Sequence, residues 1–228
     1  MQDTAWLALL YMVIIAGYDK EVDSLKSLSS KVNNCYKRCV VFFGREADVK
    51  IFFCYSRHDF DTFAKKKTPN WMVGISGHKE ILIFSPSVFE KVSSHPMSDF
   101  VPVLTHEIAH VFVNQIYEFK YPVWLSEGIC GYIAGQDRTR KVSKESIKRL
   151  ALIHDAKGWG KAYNYSQAFL FTSYLIETFG KRKLFRLLKE LGKRDSFSVF
   201  SRRFKRVYGL SPERSKKEWL LGMQEKTE

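Results

Sequence analysis

The feature that most constrains this chain is residues 103–113, VLTHEIAHVFV, where two histidines and a glutamate interrupt an apolar run. Side chains four positions apart lie one above the other on a helix, so the imidazoles of His106 and His110 can converge on one point. The remaining residues make such a helix apolar on nearly every side, which indicates that it is buried. Burying these groups together with Glu107 costs free energy unless something pairs with them, and a metal ion would provide that partner.

The spacing is the H-E-x-x-H pattern, in which two histidines bind zinc and the glutamate is a general base. The alternative is two core histidines that happen to flank a glutamate. A second segment favours the metal: Glu127 is a lone carboxylate in the otherwise apolar VWLSEGICGY, residues 123–132. The sixteen residues between His110 and Glu127 allow one helix to end and another to return beside it.

The string WLSEG, residues 124–128, resembles W-[LF]-[NS]-E-G of the aminopeptidase N branch of the gluzincin metallopeptidases and its small peptidase MA-like relatives. In this group, which is related to thermolysin, two histidines and a glutamate from the following helix bind zinc. The resemblance implies one zinc ion per chain, held by His106, His110 and Glu127. It also implies hydrolysis of peptide or protein substrates by a metal-bound water that Glu107 activates.

Two further strings bear on this resemblance. YSQA, residues 165–168, is similar to the Y-x-K-G string that holds the transition-state tyrosine of aminopeptidase N, which implies an oxyanion role for Tyr165. Only the tyrosine matches, and Tyr163 is a competing candidate. The G-x-M-E-N string that binds a free amino terminus is absent, since the corresponding region reads SGHKE, residues 76–80. Whether the enzyme is an endopeptidase or an aminopeptidase therefore stays open.

Apolar and polar patterns predict strands first and helices afterwards. Residues 48–55, 71–75 and 80–84 have strand character, Ser56 begins a short helix, and helices dominate from Ser98 onwards, including a basic one at 143–156. This order predicts a single α+β domain, 1–228, with a mixed sheet and helices in residues 1–97 and an all-helical lobe in 98–228. The active site is expected between the two. The resemblance to gluzincins implies that the fold is zincin-like.

The strand 80–84 ends at Ser85-Pro86, and proline is typical of strand ends and sheet edges. An edge strand leaves main-chain groups free to pair with an extended peptide. We therefore predict that Ile81, Leu82 and Ile83 bind substrate.

Charge is unevenly distributed along the chain. The net charge is +13, and residues 138–217 alone contain 22 Lys and Arg against 6 Asp and Glu. This segment suggests an acidic partner or an anionic surface, although solvated helix faces would show the same charges. It also supports an alternative function, a non-catalytic binding module that uses its basic helical surface. A nucleic-acid partner is not expected because the segment contains no known module signature.

The four cysteines do not form a disulfide framework in a chain of 228 residues, which favours a reducing compartment. The apolar run 5–17 is too short to span a bilayer, and no basic residue precedes it. These features predict a cytoplasmic protein, with membrane association as the alternative if the natural chain begins further upstream.

Overall fold

The structure is a computed structural model that describes residues 22–117, 122–136, 165–193 and 195–225. Three features singled out in the sequence lie outside the described residues: the apolar run 5–17, the predicted basic helix 143–156 and Tyr163.

The chain passes from a long helix through a small sheet into a series of helices, which confirms the α+β prediction. The strands are β1 (Lys50–Cys54), β2 (Gly74–Ser76) and β3 (Glu80–Phe84). The helices are α1 (Val22–Phe43), α2 (Arg57–Ala64), α3 (Phe89–Val92), α4 (Phe100–Ile116), α5 (Val123–Ala134), α6 (Tyr165–Phe179), α7 (Lys181–Glu190), α8 (Phe197–Tyr208) and α9 (Pro212–Glu225).

Local signals determine several helix ends. The Ser56 hydroxyl accepts a hydrogen bond from the Asp59 N–H and caps α2, as predicted. Gly135 and Gly209 end α5 and α8 with φ of 74° and 87°, the left-handed conformation that glycine adopts without steric cost. Within the described residues, no helix combines the length and the apolar character needed to cross a membrane.

The three described strands form a mixed sheet in the order β1–β3–β2. β1 runs parallel to β3, with Ile51 opposite Ile81, and β2 runs antiparallel to it, with Gly74 opposite Ile83. β3 is therefore the central strand. The prediction that Ile81, Leu82 and Ile83 form a free edge is wrong.

Burial explains why β3 lies in the centre. Ile81 and Ile83 are completely buried, and such apolar residues are most stable where both neighbouring positions are occupied by other strands. The Ser85 N–H still donates to the Cys54 carbonyl of β1, so Pro86 follows the last residue that bonds to the neighbouring strand. The proline therefore marks the end of the strand without indicating an edge. Among the described strands, β2 is the edge strand that lies next to α4.

Two side chains at the end of α4 hold this helix against the sheet. The Gln115 carboxamide bonds both main-chain groups of Asp48, accepting from its N–H at 3.0 Å and donating to its carbonyl at 2.6 Å. The neighbouring Asn114 donates to the Gly77 carbonyl, in the turn between β2 and β3, at 2.8 Å. These bonds fix the position of α4 relative to β2.

Two glycines allow α5 and α6 to pack in close contact. A Cβ added to Gly128 would lie 1.9 Å from Oγ1 of Thr172, and one added to Gly131 would lie 2.1 Å from the Phe169 ring. No side chain fits at either position. This close packing brings the beginning of α6, with Tyr165, to the same cavity as Glu127.

Candidate metal centre

His106 and His110 lie one turn apart on α4, and Glu127 faces them from α5. The Nε2 atoms of the two imidazoles are 3.1 Å apart. Oε2 of Glu127 lies 3.2 Å from Nε2 of His106 and 3.5 Å from Nε2 of His110. These three residues, called the metal-ligating group below, are the one set of side chains in the described part of the chain that could hold a metal ion, and they are those predicted from the sequence.

The second nitrogen of each imidazole also has a partner. Nδ1 of His106 lies 3.0 Å from Oε1 of Gln136, a buried residue just beyond α5, and Nδ1 of His110 lies 3.4 Å from the Ser126 hydroxyl. An Nδ1–H that donates to this amide oxygen would leave Nε2 of His106 as the nitrogen that binds a metal ion. Such a contact orients a metal-binding histidine. The sequence analysis missed Gln136, since no local pattern connects it to His106.

The electrostatics of the group favour an ionised Glu127 beside the two histidines. Burial opposes the charge on the Glu127 carboxyl, but the neighbouring His110 and His106 outweigh it and hold the pKa of Glu127 well below its usual range. Burial likewise opposes charge on His110, but contacts with Cys130 and Glu127 raise the pKa of His110 well above its usual value. The Glu127 carboxyl is therefore ionised, which is the form that can bind a metal ion.

The donor set is compatible with zinc. Two imidazole nitrogens and one carboxylate oxygen are the ligands typical of catalytic zinc sites, which keep a fourth position open. The three side chains are only 11–15% exposed, so little water reaches their ligand atoms and a bound metal ion would be their partner.

Glu107 lies outside this group and packs against β2. A Cβ added to Gly74 would lie 2.7 Å from Cγ of Glu107 and 2.8 Å from its Oε1. Glycine at this position therefore provides the space that the Glu107 side chain occupies. The sequence analysis assigned no role to Gly74.

A cavity of about 740 Å³ opens over the metal-ligating group. Residues from β2, α4, α5 and α6 line it. Among them are His106, Glu107, His110, Glu127 and Tyr165, so these five predicted site residues share one cavity. The predicted substrate residues Ile81, Leu82 and Ile83 do not line it, and the lining strand is β2 with Gly74, Ile75 and Ser76.

Comparison with protein families identifies a match in the part of the chain that contains the metal-ligating group. The family model described as the peptidase MA superfamily matches residues 100–224, which begin at α4 and end within α9. A search of curated proteins and a search of solved structures each found no match. The matched region covers more than half of the 228 residues and includes the whole metal-ligating group. The chain therefore belongs to the peptidase MA superfamily.

Proposed function

We propose that this protein is a zinc-dependent metallopeptidase of the gluzincin type. The observation that carries the proposal is the convergence of His106, His110 and Glu127 within 3.1–3.5 Å of one another. Glu107 lies in the same cavity but outside the ligand group, which is where a general base is needed. A site that only binds metal has no need of such a carboxylate.

Each side chain has a distinct part in the proposed reaction. The neutral imidazoles of His106 and His110 and the carboxylate of Glu127 would hold one zinc ion. Bound zinc would supply a Lewis acid that polarises the scissile carbonyl and makes water acidic enough to lose a proton near neutral pH. Glu107 would take that proton as the water oxygen attacks the carbonyl carbon. It would then deliver the proton to the amine nitrogen as the carbon–nitrogen bond breaks.

Tyr165 would assist at the carbonyl oxygen. The oxygen gains negative charge during the attack, and a hydroxyl that donates a hydrogen bond to it stabilises the transition state. Tyr165 begins α6, lines the cavity and lies with its ring centroid 6.2 Å from that of Trp71.

The sheet offers an extended peptide a place to bind. Among the described strands β2 pairs with β3 alone, and it lies beside the cavity, so a peptide could add a further strand along its other side. A peptide paired along Gly74–Ser76 would pass the Glu107 side chain. This arrangement explains why a short strand with little apolar surface, and not the buried β3, would bind substrate.

Zinc content tests the ligand assignment. The wild-type protein is expected to retain one zinc ion per chain, and His106→Ala, His110→Ala and Glu127→Ala should each lose it, because three protein ligands are needed to hold catalytic zinc. Metal analysis after dialysis measures this. The exposed His78, which does not line the cavity, supplies the control variant His78→Ala. Undiminished zinc in the three ligand variants would contradict the ligand assignment. The proposed reaction would be contradicted if the zinc-loaded wild type cleaved no member of a peptide library.

Gly74→Ala should impair the base without affecting the metal. The new Cβ would lie 2.7 Å from Cγ of Glu107, so the glutamate must move, and misplacement of a reacting group by about 1 Å can cost roughly 10²-fold in rate. We expect kcat to fall by about 10- to 100-fold at unchanged zinc content.

Gly77→Ala is the matched control for this variant. Gly77 follows β2, and an added Cβ there would make only an ordinary contact, 3.6 Å from the Glu80 carbonyl oxygen. Equal rates for Gly74→Ala and the wild type would show that the position of Glu107 does not limit the reaction.

A further inference from the structure

One wall of the cavity is formed by the loop that joins α2 to β2. Lys66 and Trp71 of this loop both line the cavity and are exposed, and Trp71 lies in ring contact with Tyr165 on the opposite side. The loop therefore extends from the edge strand to the helix that carries the proposed oxyanion group. A substrate residue that reaches this wall would meet an indole ring and an ammonium group.

Arg57 holds this loop in a defined shape. Its guanidinium donates to the Met72 carbonyl at 2.8 Å, to the Thr68 hydroxyl at 3.1 Å and to the Asn70 carbonyl at 3.3 Å. The cation also lies over the Phe84 ring, 4.5 Å from its centroid. An arginine that bonds several carbonyls of one loop fixes the main chain before any ligand arrives.

Two further contacts complete the support. Oδ1 of Asp61 accepts from both the N–H and the hydroxyl of Thr68, at 3.0 and 2.5 Å. Nε2 of His95 lies 2.9 Å from the Trp71 carbonyl oxygen. Preorganisation of this kind lowers the entropic cost of binding, so the loop is suited to contact a substrate directly.

The charge of the side chains that line the cavity indicates which chemical group this wall would bind. Among the described residues that line the cavity, Lys66 is the only lysine or arginine, and no ion pair with Lys66 is found in the described part of the chain. Asp61, on the helix α2 that precedes this loop, is engaged by Thr68. A divalent cation on the ligands would balance the carboxylates of Glu107 and Glu127, so Lys66 would leave the cavity with a net positive charge.

We propose that Lys66 is a specificity-determining residue that binds a substrate carboxylate beside Trp71. The inference rests on the proposed function, because it assumes that a peptide occupies the cavity. The carboxylate belongs either to an aspartate or glutamate side chain near the scissile bond or to the carboxyl terminus of the substrate. Both would form the same ion pair with the ammonium group.

Binding to a cleavage-deficient protein tests this proposal without relying on turnover. Zinc-loaded Glu107→Gln protein is titrated with alanine-based octapeptides that carry one Glu, or one Gln, at successive positions, each with a free or an amidated carboxyl terminus. A fluorophore on one side chain reports binding by anisotropy. We expect one acidic position, or the free terminus, to tighten binding by about two- to fivefold, the range for a partly exposed ion pair. The advantage should shrink as sodium chloride is raised.

Substitutions at Lys66 decide the assignment. Lys66→Gln should abolish the preference for the carboxylate, Lys66→Glu should reverse it, and Lys66→Arg should retain it. Lys67→Gln is the matched control, since Lys67 is also exposed but does not line the cavity. If a free carboxyl terminus tightens binding and amidation removes this gain in every peptide, the ligand is the terminal carboxylate. If only an internal Glu tightens binding, the ligand is the side-chain carboxylate.

The outcomes also separate this inference from the proposed function. If the wild type binds and cleaves these peptides and Lys66→Gln shows the same preference for a carboxylate, only the role of Lys66 is overturned. If no peptide of either series binds the zinc-loaded protein and the wild type cleaves none, both the inference and the proposed function are overturned.

Discussion

Replacement of Glu107 by glutamine is expected to lower the rate of peptide hydrolysis by about 10²–10⁴-fold, the usual contribution of a general base. Glutamine has nearly the same shape as glutamate but cannot take up a proton at neutral pH. Glu107 is not among the metal-ligating group, so the variant should retain its zinc. Side-by-side measurement of kcat and of zinc content on the same preparation separates the base from the ligands.

Glu80→Gln provides the control for this experiment. Glu80 is exposed at the start of β3 and does not line the cavity, so its substitution should leave both quantities unchanged. Full hydrolytic activity in Glu107→Gln would mean that another group removes the proton. A wild type that binds peptides but cleaves none would instead favour the alternative function, a non-catalytic binding module.

The second large effect is expected at Tyr165. Tyr165→Phe should lower kcat by about 10²–10³-fold with little change in KM, as for loss of one hydrogen-bond donor to an oxyanion. Phenylalanine keeps the ring that contacts Trp71 and Phe169, so packing at the start of α6 should survive. Steady-state kinetics on one peptide provides both constants.

Another tyrosine on the same helix controls for a general effect of the substitution. Tyr174 stacks on Phe171 and does not line the cavity, so Tyr174→Phe should retain wild-type kcat. Tyr163 competes for the oxyanion role, although it lies outside the described residues. A wild-type kcat for Tyr165→Phe together with a large loss for Tyr163→Phe would assign the role to Tyr163.

Much of the chain could be predicted from local signals. Ser56 begins α2, Gly135 and Gly209 end their helices, and β3 spans the residues expected of it. Each of these depends on interactions within a few residues, namely a cap, a left-handed glycine or an apolar run. β2 was shifted: the prediction was 71–75, whereas the strand comprises Gly74–Ser76, because the preceding residues belong to the loop that Arg57 holds.

The order of the strands in the sheet could not be predicted from such local signals. The sequence of β3 is compatible with a central or an edge strand, and Ser85-Pro86 favoured the edge. The decision depends on which strands pair with it, and those partners lie as far away as β1, some thirty residues earlier in the chain. Pairing on both sides makes β3 the central strand, in which Ile81 and Ile83 are completely buried, and leaves β2 at an edge.

For this protein, the sequence by itself determined which residues can form the metal-ligating group. His106 and His110 are related by helical spacing alone, and the lone Glu127 in an apolar segment pointed to the third member. The tertiary structure decided what surrounds them: Gln136 against His106, Gly74 against Glu107, and Lys66 on the cavity wall. The physical reason is that helical spacing is set by the main chain of a few consecutive residues, whereas these contacts join separate segments and exist only once the packing of α4, α5 and the sheet has brought them together.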